Sequence, residues 1–240
     1  MTATTLPTLA ILAGGKATRL GELAATLPKA LQPIGERPFL AWQLDLIAAQ
    51  GFRQVVLCIG HLGERIERAV AQIAPSGLVV RCSSEGERAL GTGGALKQAL
   101  PWLSDPFMVL YGDSYLRGDY RRVFEAFETA RAAGSNAQAM MTVFRNEDRF
   151  GPSNIEYADG VIRRYDKQRR DSRMRHIDWG LGVLTHAAFE GFGEAFDLAE
   201  VYQRALAGQR LLGCEVAQRF YEIGSPEALE ELRELLLRHG

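Results

Sequence analysis

The sequence predicts an α/β protein built on a mostly parallel, doubly wound sheet, because strand-like and helix-like segments alternate between Thr8 and Val143. Short apolar or β-branched runs are typical of buried strands, and the segments between them carry apolar residues at the spacing of one helix face. The composition agrees, since 47% hydrophobic and 24% charged residues in a chain of 240 are typical of an ordinary globular protein. Ligands of such sheets bind at the carboxyl ends of the strands, so the polar motifs at those ends are the candidate functional residues.

Nine elements make up this alternation. Five segments are predicted as strands: Thr8–Leu12, Arg53–Ile59, Leu78–Cys82, Phe107–Leu110 and Gln138–Val143. Four segments are predicted as helices: Pro38–Gln50, Glu64–Ile73, Gly94–Leu100 and Tyr120–Ala133. Gly51 and Gly60 mark ends of the first helix and the second strand.

The last third of the chain has a different, β-rich pattern. Asp159-Gly160 is a tight-turn signal, and it predicts a hairpin between the strands Asn154–Tyr157 and Val161–Tyr165. Ile177–Leu184 reads as another strand. Ser225 and Pro226 supply an N-cap and a first-turn proline, which predicts a helix from Pro226 to about Arg238.

The most informative motif follows the first strand. Leu12-Ala13-Gly14-Gly15 lets the backbone turn without a Cβ in the way, and successive N–H groups of such a turn form an anion-binding concavity. Arg19 offers a forked guanidinium for two phosphate oxygens, and Lys29 a mobile point charge. Together they favour a nucleoside triphosphate, although Gly-Gly is also a common turn and both cations could be ordinary surface charges.

Two common phosphate loops do not match. The chain lacks G-x-x-x-x-G-K-[ST], and Gly91-Thr92-Gly93-Gly94 lacks the third glycine of the dinucleotide fingerprint and lies far from the first strand. A kinase or a dehydrogenase is therefore disfavoured.

The loop as a whole, Leu12 to Leu20, together with Pro28-Lys29-Ala30-Leu31, resembles the opening signature of sugar-phosphate nucleotidyltransferases. That signature is L-A-G-G-x-G-T-R-L followed by P-K-x-L, and this chain differs from it by Ala17 in place of a glycine. Further motifs recur in the family's order up to about Leu229. The resemblance implies a Rossmann-like, glycosyltransferase-A-like fold with a mixed sheet and a small β-rich acceptor half. We expect a single domain over residues 1–240, in which about 1–150 bind the nucleotide and about 151–240 the sugar phosphate.

The resemblance places the nucleobase at the segment Leu90 to Ala95. Its glycines let a flat base lie against the backbone, whose exposed N–H and C=O groups can read the edge of the base. Glu85 is the candidate reader, because a carboxylate accepts the paired N–H donors of guanine, although Glu85 could equally be a surface acid. The predicted nucleotide-binding residues are Leu12, Ala13, Gly14, Gly15, Glu85, Gly91, Thr92 and Gly93.

Two carboxylates are candidate ligands of Mg²⁺, the implied cofactor. Asp113 ends the apolar strand that includes Val109, and a hard oxygen ligand there would face the triphosphate. Glu222 stands where the family has an aspartate, and its longer side chain could still reach a metal ion or bind it through a water. The alternatives are a turn-forming aspartate and a structural glutamate.

The acceptor half carries three further correspondences to the family. Gly151 and Asn154 match its G-x-V type segment, Asp166-Lys167 its E-K pair, and Asp178-Trp179-Gly180 its N-A-G segment. Lys167 could bind the phosphate of a sugar 1-phosphate, and Asp178 with the Gly180 backbone its hydroxyls. Asp178 in place of asparagine removes two amide donors, which changes the sugar preference that the resemblance implies. Lys167 could also be a solvated charge at a strand edge.

Composition excludes other classes. The net charge of -1 provides no basic excess for nucleic acid, and neither an export signal nor a membrane span is apparent, so we expect a cytoplasmic protein. The three widely spaced cysteines suit buried thiols in a reducing compartment and no zinc site. Nucleoside triphosphate and sugar 1-phosphate are the expected partners, with a homo-oligomer possible.

The sequence therefore predicts magnesium-dependent transfer of a nucleotidyl group, in which the acceptor's phosphate oxygen attacks the α-phosphorus and pyrophosphate leaves. Arg19 and Lys29 are the expected catalytic cations. GTP with a heptose- or mannose-type sugar 1-phosphate is the preferred pair by analogy. A uridylyl- or cytidylyltransferase and a non-catalytic relative that binds nucleotide sugar are the alternatives.

Overall fold

The structure is a computed structural model that describes residues 5–15, 27–86 and 88–238. The strands within these ranges are β1 (Leu9–Leu12), β2 (Pro33–Ile34), β3 (Arg37–Pro38), β4 (Gln54–Ile59), β5 (Val79–Ser84), β6 (Phe107–Tyr111), β7 (Ser114–Leu116), β8 (Ala139–Arg145), β9 (Ile155–Ala158), β10 (Val161–Tyr165), β11 (His176–Leu184), β12 (Leu211–Val216) and β13 (Phe220–Glu222). The α-helices are α1 (Phe39–Ala49), α2 (Gly63–Ile73), α3 (Gly91–Ala99), α4 (Tyr120–Ala132), α5 (Leu198–Ala207) and α6 (Pro226–Leu237).

A nine-stranded mixed sheet runs through the molecule in the order β10-β9-β11-β6-β1-β4-β5, with β8 beside β11 and β12 beside β8. The strands β6, β1, β4 and β5 are mutually parallel. β11 is antiparallel to β6 and β8, and β12 is parallel to β8. The predicted α/β class with a mixed sheet is confirmed, and the strands from the second half of the chain join the same sheet as those from the first.

Helices cover both faces of this sheet because side chains alternate along each strand. Leu9 and Ile11 of β1 belong to one buried cluster, which includes side chains of α1, α2 and α4. Ala10, between them, belongs to a second cluster, which includes side chains of α3 and α5. The doubly wound arrangement follows from this alternation.

A third, smaller apolar cluster positions the end of the chain. Tyr115 of β7, Ile223 directly after β13 and Leu232 of α6 belong to it. Ser225 caps α6 by accepting the N–H of Ala228 at 3.2 Å, and Pro226 occupies its first turn, as the sequence predicts. This cluster holds Glu222 beside β7.

Helix α5 and strand β12 are elements that the sequence analysis did not predict, and α3 begins at Gly91 rather than Gly94. A capping box at the start of α5, formed by Asp197 and Glu200, was the available signal for that helix. Cys58, Cys82 and Cys214 are free thiols. In the part of the chain that the structure describes, no helix combines the length and the apolar character needed to cross a bilayer.

Candidate active site

The candidate site lies where parallel strands end side by side. Leu12, the last residue of β1, is paired with Cys58 of β4 and with Tyr111 at the end of β6. A cleft of about 390 Å³ opens at this edge, within the range usual for small-molecule sites. The described residues that line it are Leu12, Ala13, Gly14, Gly15, Lys29, Ala30, Cys58, Glu85, Ala89, Gly91, Thr92, Ala95, Tyr111, Gly112 and Asp113.

Lys29 and Asp113 meet in this cleft. The ammonium Nζ lies 2.7 Å from Asp113 Oδ2, and the side chains are 16% and 29% exposed, respectively. Lys29 begins a short 3-10 turn, and Asp113 follows Gly112 at the end of β6. The structure thus brings together two of the three residues on which the triphosphate hypothesis depends. Arg19, the third, lies outside the described residues, as do Lys16, Ala17 and Thr18.

The second carboxylate candidate comes close through the backbone. Glu222 is opposite Ser114 in the β7–β13 pair, and the N–H of Ile223 donates to the carbonyl oxygen of Asp113 at 3.0 Å. Glu222 lines a neighbouring hollow with Phe150 and is not among the described residues that line the cleft. Glu222 and Asp113 thus lie on neighbouring segments at one end of the β7–β13 pair.

These two carboxylates fit Mg²⁺ by their chemistry. Magnesium takes hard oxygen ligands, commonly one or two protein carboxylates together with phosphate oxygens and waters. Among the described residues, no group of three or more His, Cys, Asp and Glu is arranged to hold a metal ion by itself. Two carboxylates completed by phosphate oxygens and waters would be such a ligand set.

Glu85 connects the glycine loop to α3. A Cβ added at Gly14 would lie 2.6 Å from Glu85 Oε1, so a larger residue there would require the Glu85 carboxylate to shift. The other oxygen, Oε2, accepts the N–H of Leu90 at 2.6 Å. Burial raises the pKa of Glu85, and the bond from Leu90 opposes that rise. Glu85 is therefore a structural link as well as part of the cleft wall.

Part of the glycine segment at the start of α3 is hydrogen-bonded to the segment that precedes and begins α5. The N–H groups of Gly93 and Gly94 both donate to the carbonyl oxygen of Phe196, at 2.9 and 3.1 Å. The Thr92 hydroxyl accepts the N–H of Leu198 at 2.8 Å. Two of the N–H groups expected to read a base are thus bonded to the segment before α5, whereas Gly91 and Thr92 line the cleft.

Asp178 reaches the border of the cleft through Tyr111. The Tyr111 hydroxyl donates to Asp178 Oδ2 at 2.8 Å, and the N–H of Gly180 donates to Oδ1 at 3.0 Å. Burial raises the pKa of Asp178, while these two bonds and the charge of Lys167 oppose the rise. The structure therefore places Asp178 against Tyr111 at the end of β6, two residues before Asp113, with Lys167 near enough to influence the carboxylate.

Asp166 has a local role. Its Oδ1 accepts the N–H groups of Gln168 and Arg169 at 2.9 and 2.8 Å, and these bonds lower its pKa. Lys167 projects over the ring of Tyr165, with Nζ 5.9 Å from the centroid. Asp166 thus shapes the turn that presents Lys167.

Gly151 and Asn154 are farther from the cleft lining. The carbonyl oxygen of Gly151 accepts a bond from the Asn146 amide at 2.7 Å, within the turn before β9. The backbone of Asn154 bonds to His176 and Asp166, and its Oδ1 is buried without a hydrogen-bond partner in the described ranges. Neither residue lines the cleft.

Sequence reasoning missed several wall residues, of which Tyr111 and Cys58 are the most informative. Tyr111 directly precedes Gly112-Asp113 at a strand end, and that position was an available signal. Cys58 lies beneath the cleft with Sγ 3.8 Å from the carbonyl oxygen of Ala95. Burial raises the pKa of this thiol to about 12, which makes it a neutral wall residue.

The sequence profile of the MobA-like NTP transferase domain matches residues 9–235. The chain belongs to this family. A D-glycero-alpha-D-manno-heptose 1-phosphate guanylyltransferase of Campylobacter jejuni is 28% identical over 219 residues, which are 90% of this chain and 94% of that one. An N-acetylmuramate alpha-1-phosphate uridylyltransferase of Neisseria meningitidis is 26% identical, over 94% of this chain and 96% of that one.

Solved structures of similar fold agree with this family. HddC from Yersinia pseudotuberculosis, complexed with GMP-PN, has a TM-score of 0.76 at 23% identity and covers 96% of this chain and 100% of its own. A putative glucose-1-phosphate thymidylyltransferase from Bacillus anthracis has a TM-score of 0.80 at 18% identity, over 95% and 94% of the two chains. The family's fold is therefore the fold of this protein.

Proposed function

We propose that this protein transfers a guanylyl group from GTP to a sugar 1-phosphate of the heptose or mannose type, with Mg²⁺ as cofactor and pyrophosphate as the second product. The observation that carries the proposal is the Lys29–Asp113 pair beside the double-glycine loop, in a cleft at the carboxyl ends of parallel strands. Residues of about 1–150 would bind the nucleotide and residues of about 151–240 the acceptor, within one domain.

The reaction needs alignment and charge neutralisation rather than a covalent enzyme intermediate. An oxygen of the acceptor phosphate forms a bond to the α-phosphorus while the bond from that phosphorus to the bridging oxygen of the β-phosphate breaks. Pyrophosphate leaves with the electron pair of the broken bond, and no proton need be removed from an ionised acceptor phosphate. Chain groups that stabilise this rearrangement must therefore be fixed cations and N–H donors.

Lys29 supplies the cation at the point of attack, because its flexible stem allows the ammonium to leave Asp113 and follow the α-phosphate. The backbone of Gly14 and Gly15 would bind the remaining phosphates, and Arg19 is proposed to hold the β- and γ-phosphates. Lys167 would hold the acceptor phosphate. Asp113 and Glu222 would hold Mg²⁺, which supplies positive charge to the triphosphate oxygens when bound.

Glu85 supports guanine as the base. It lines the cleft beside Gly91 and Thr92, and a carboxylate accepts paired N–H donors such as those of guanine. The guanylyltransferase relative of Campylobacter jejuni and the GMP-PN complex of the Yersinia pseudotuberculosis protein point in the same direction. A uridylyltransferase is the second candidate, because the relative of Neisseria meningitidis is almost as similar.

The test is a pyrophosphate-release screen that crosses the common nucleoside triphosphates with a panel of sugar 1-phosphates in the presence of Mg²⁺. Turnover with GTP and a heptose or mannose 1-phosphate is expected. Turnover only with UTP or CTP would show that the proposal of guanine is wrong and that uracil or cytosine is the base. Nucleotide-sugar binding without turnover for any pair would identify a non-catalytic relative.

The Asp113→Ala variant tests the site within the same screen. It should lose at least 1,000-fold in turnover, about 4 kcal/mol of transition-state stabilisation, while remaining folded. Asp45→Ala is the matched control, since Asp45 is also paired with a cation, Arg37 at 2.6 Å, but lies outside the cleft lining. Normal activity of Asp113→Ala would refute the assignment.

A further inference from the structure

Tyr111 connects the candidate cleft to Asp178 in the proposed acceptor half. It is the last residue of β6, lines the cleft with Gly112 and Asp113, and extends its hydroxyl to Asp178 Oδ2 at 2.8 Å. A carboxylate has no hydrogen to give when ionised, so the phenol must be the donor. The side chain therefore spans from the proposed triphosphate site to the proposed sugar-binding carboxylate.

The backbone at both ends of this contact is held in place. The amide of Gln43, a buried residue, donates to the carbonyl oxygens of Tyr111 at 3.4 Å and Ser114 at 2.8 Å. On the other side, the register of β11 against β8 shifts between Asp178 and Gly182. Within this irregular stretch, Gly180 has a φ of +102° and its N–H donates to Asp178 Oδ1. Each oxygen of the carboxylate thus has one fixed donor.

The hydrogen bonds from Tyr111 and Gly180 fix the orientation of the Asp178 carboxylate and leave acceptor positions on its oxygens. Each carboxylate oxygen has two acceptor positions, and each described donor takes only one of them. Burial disfavours the ionised form of Asp178, and a charge-assisted bond from a hydroxyl offsets part of that cost. Without the Tyr111 hydroxyl, the bond from Gly180 would be the one hydrogen bond left to this carboxylate from the residues that the structure describes.

We propose that Tyr111 is a positioning residue for the acceptor: its hydroxyl orients the Asp178 carboxylate toward a hydroxyl of the sugar 1-phosphate. The inference rests on the proposed function. It makes Tyr111, the last residue of β6, a determinant of acceptor recognition that acts through Asp178 rather than by its own contact with the sugar.

A double-mutant cycle tests this role, using Tyr111→Phe, Asp178→Ala and the double variant on the substrate pair identified by the screen. Tyr111→Phe removes one oxygen atom and should raise the acceptor KM about tenfold, with the nucleotide KM and kcat within about twofold of wild type. In the Asp178→Ala background, the same substitution should change the acceptor KM by less than about twofold, because the partner through which it acts is absent.

Tyr120→Phe is the matched control. Its hydroxyl is also buried and donates to a backbone carbonyl, that of Leu116 at 3.1 Å, but the residue belongs to the apolar core. It should reduce stability without changing the acceptor KM. If Asp178→Ala does not fold, Asp178→Asn replaces it, since asparagine keeps the volume and an acceptor oxygen. In that background, the factor by which Tyr111→Phe raises the acceptor KM should be at least threefold smaller than in the wild-type background.

Equal effects of Tyr111→Phe in both backgrounds would overturn the inference, as would a rise confined to the nucleotide KM. An active wild type with such additive effects would leave the proposed function intact. A wild type inactive with every pair would instead overturn the proposed function and this inference with it.

Discussion

Lys29 has two roles that cannot be performed together. In the structure, its ammonium is paired with Asp113 at 2.7 Å, whereas in the proposed reaction it must follow the α-phosphate. A carboxylate paired with an internal cation is a weak ligand for a second cation, because the two cations repel each other at that distance. The metal is therefore expected to arrive with the triphosphate, whose charge draws Lys29 away from Asp113.

Lys29→Gln should accordingly raise the affinity of the nucleotide-free protein for Mn²⁺, a paramagnetic substitute for Mg²⁺, about fivefold, or about 1 kcal/mol for a partly exposed pair. Titration followed by electron paramagnetic resonance measures this affinity. Lys29→Arg is the control, since it keeps the charge and should bind Mn²⁺ as weakly as wild type. Equal affinities of Lys29→Gln and wild type would contradict the argument.

Glu85 combines a structural bond with a raised pKa, which makes a pH-dependent prediction. Between the usual value of 4.5 and its raised pKa, the native protein keeps a proton that the unfolded chain releases. The free energy of unfolding therefore falls as pH rises through this window. Above the raised pKa, this loss of stability is complete and does not grow further.

Glu85→Gln removes this titration while keeping an oxygen for the N–H of Leu90. Its stability relative to wild type should increase from pH 4.5 to pH 8, as measured by urea unfolding. Glu147→Gln is the control: a hydrogen bond from Arg145 lowers the pKa of Glu147 below 4.5, so its contribution to stability changes only at lower pH and this variant should show no such increase between pH 4.5 and pH 8. Parallel pH profiles for wild type and Glu85→Gln would show that this carboxylate does not behave as described.

The junction of α3 and α5 sets the shape of the cleft wall. The first turn of α3 is held from both sides, by Glu85 through Leu90 and by the carbonyl oxygen of Phe196 through Gly93. Gly91 has a φ of +73°, in the left-handed region that favours glycine. The glycines of this segment are therefore required at least partly by packing against the chain before α5, besides any contact with a base.

Thr92→Val tests this junction because it keeps the shape of the side chain and removes the hydroxyl that accepts the N–H of Leu198. It should destabilise the protein by about 1 kcal/mol, the usual effect of losing a helix-capping acceptor. Urea unfolding measures the change. Thr129→Val, at an exposed position of α4, should stay within about 0.5 kcal/mol of wild type. Equal stabilities of the two variants would show that the Thr92 bond contributes nothing.

Across the whole molecule, the sheet joins the two halves of the chain. β11 pairs with β6, which carries Tyr111, and β8 pairs with both β11 and β12. The proposed acceptor residue Asp178 is thereby held by the same sheet as Asp113. A ligand that binds the folded cleft must then stabilise the whole molecule by mass action.

GTP with Mg²⁺ at about 100 times its Kd should raise the free energy of unfolding by about 2.7 kcal/mol, which corresponds to a Tm increase of roughly 5 to 10 °C. Thermal unfolding with each nucleoside triphosphate measures this binding independently of turnover. Asp45→Ala should retain the shift and Asp113→Ala should lose most of it. A larger shift with UTP than with GTP would contradict the proposed base.

Local sequence patterns were sufficient for much of the fold and part of the site. Apolar runs identified the central strands, Ser225-Pro226 the start of α6, and the double glycine with Lys29 and Asp113 the residues that meet in the cleft. These features are readable because strand burial, helix capping and glycine turns depend on neighbouring residues. Arg19 remains a prediction from its motif, as do the roles of Gly151 and Asn154, which do not line the cleft.

Contacts between distant segments were decided only by the tertiary structure. No local sequence pattern predicts three of these contacts. They are the bond from Tyr111 to Asp178, the pairing of Glu222 with Ser114, and the packing of α5 on the α3 glycines. Each depends on how strands from separate segments are ordered in one sheet, and that order is set by the burial of both faces of the sheet together. A linear pattern records which face a residue occupies, but not which distant side chain lies opposite it.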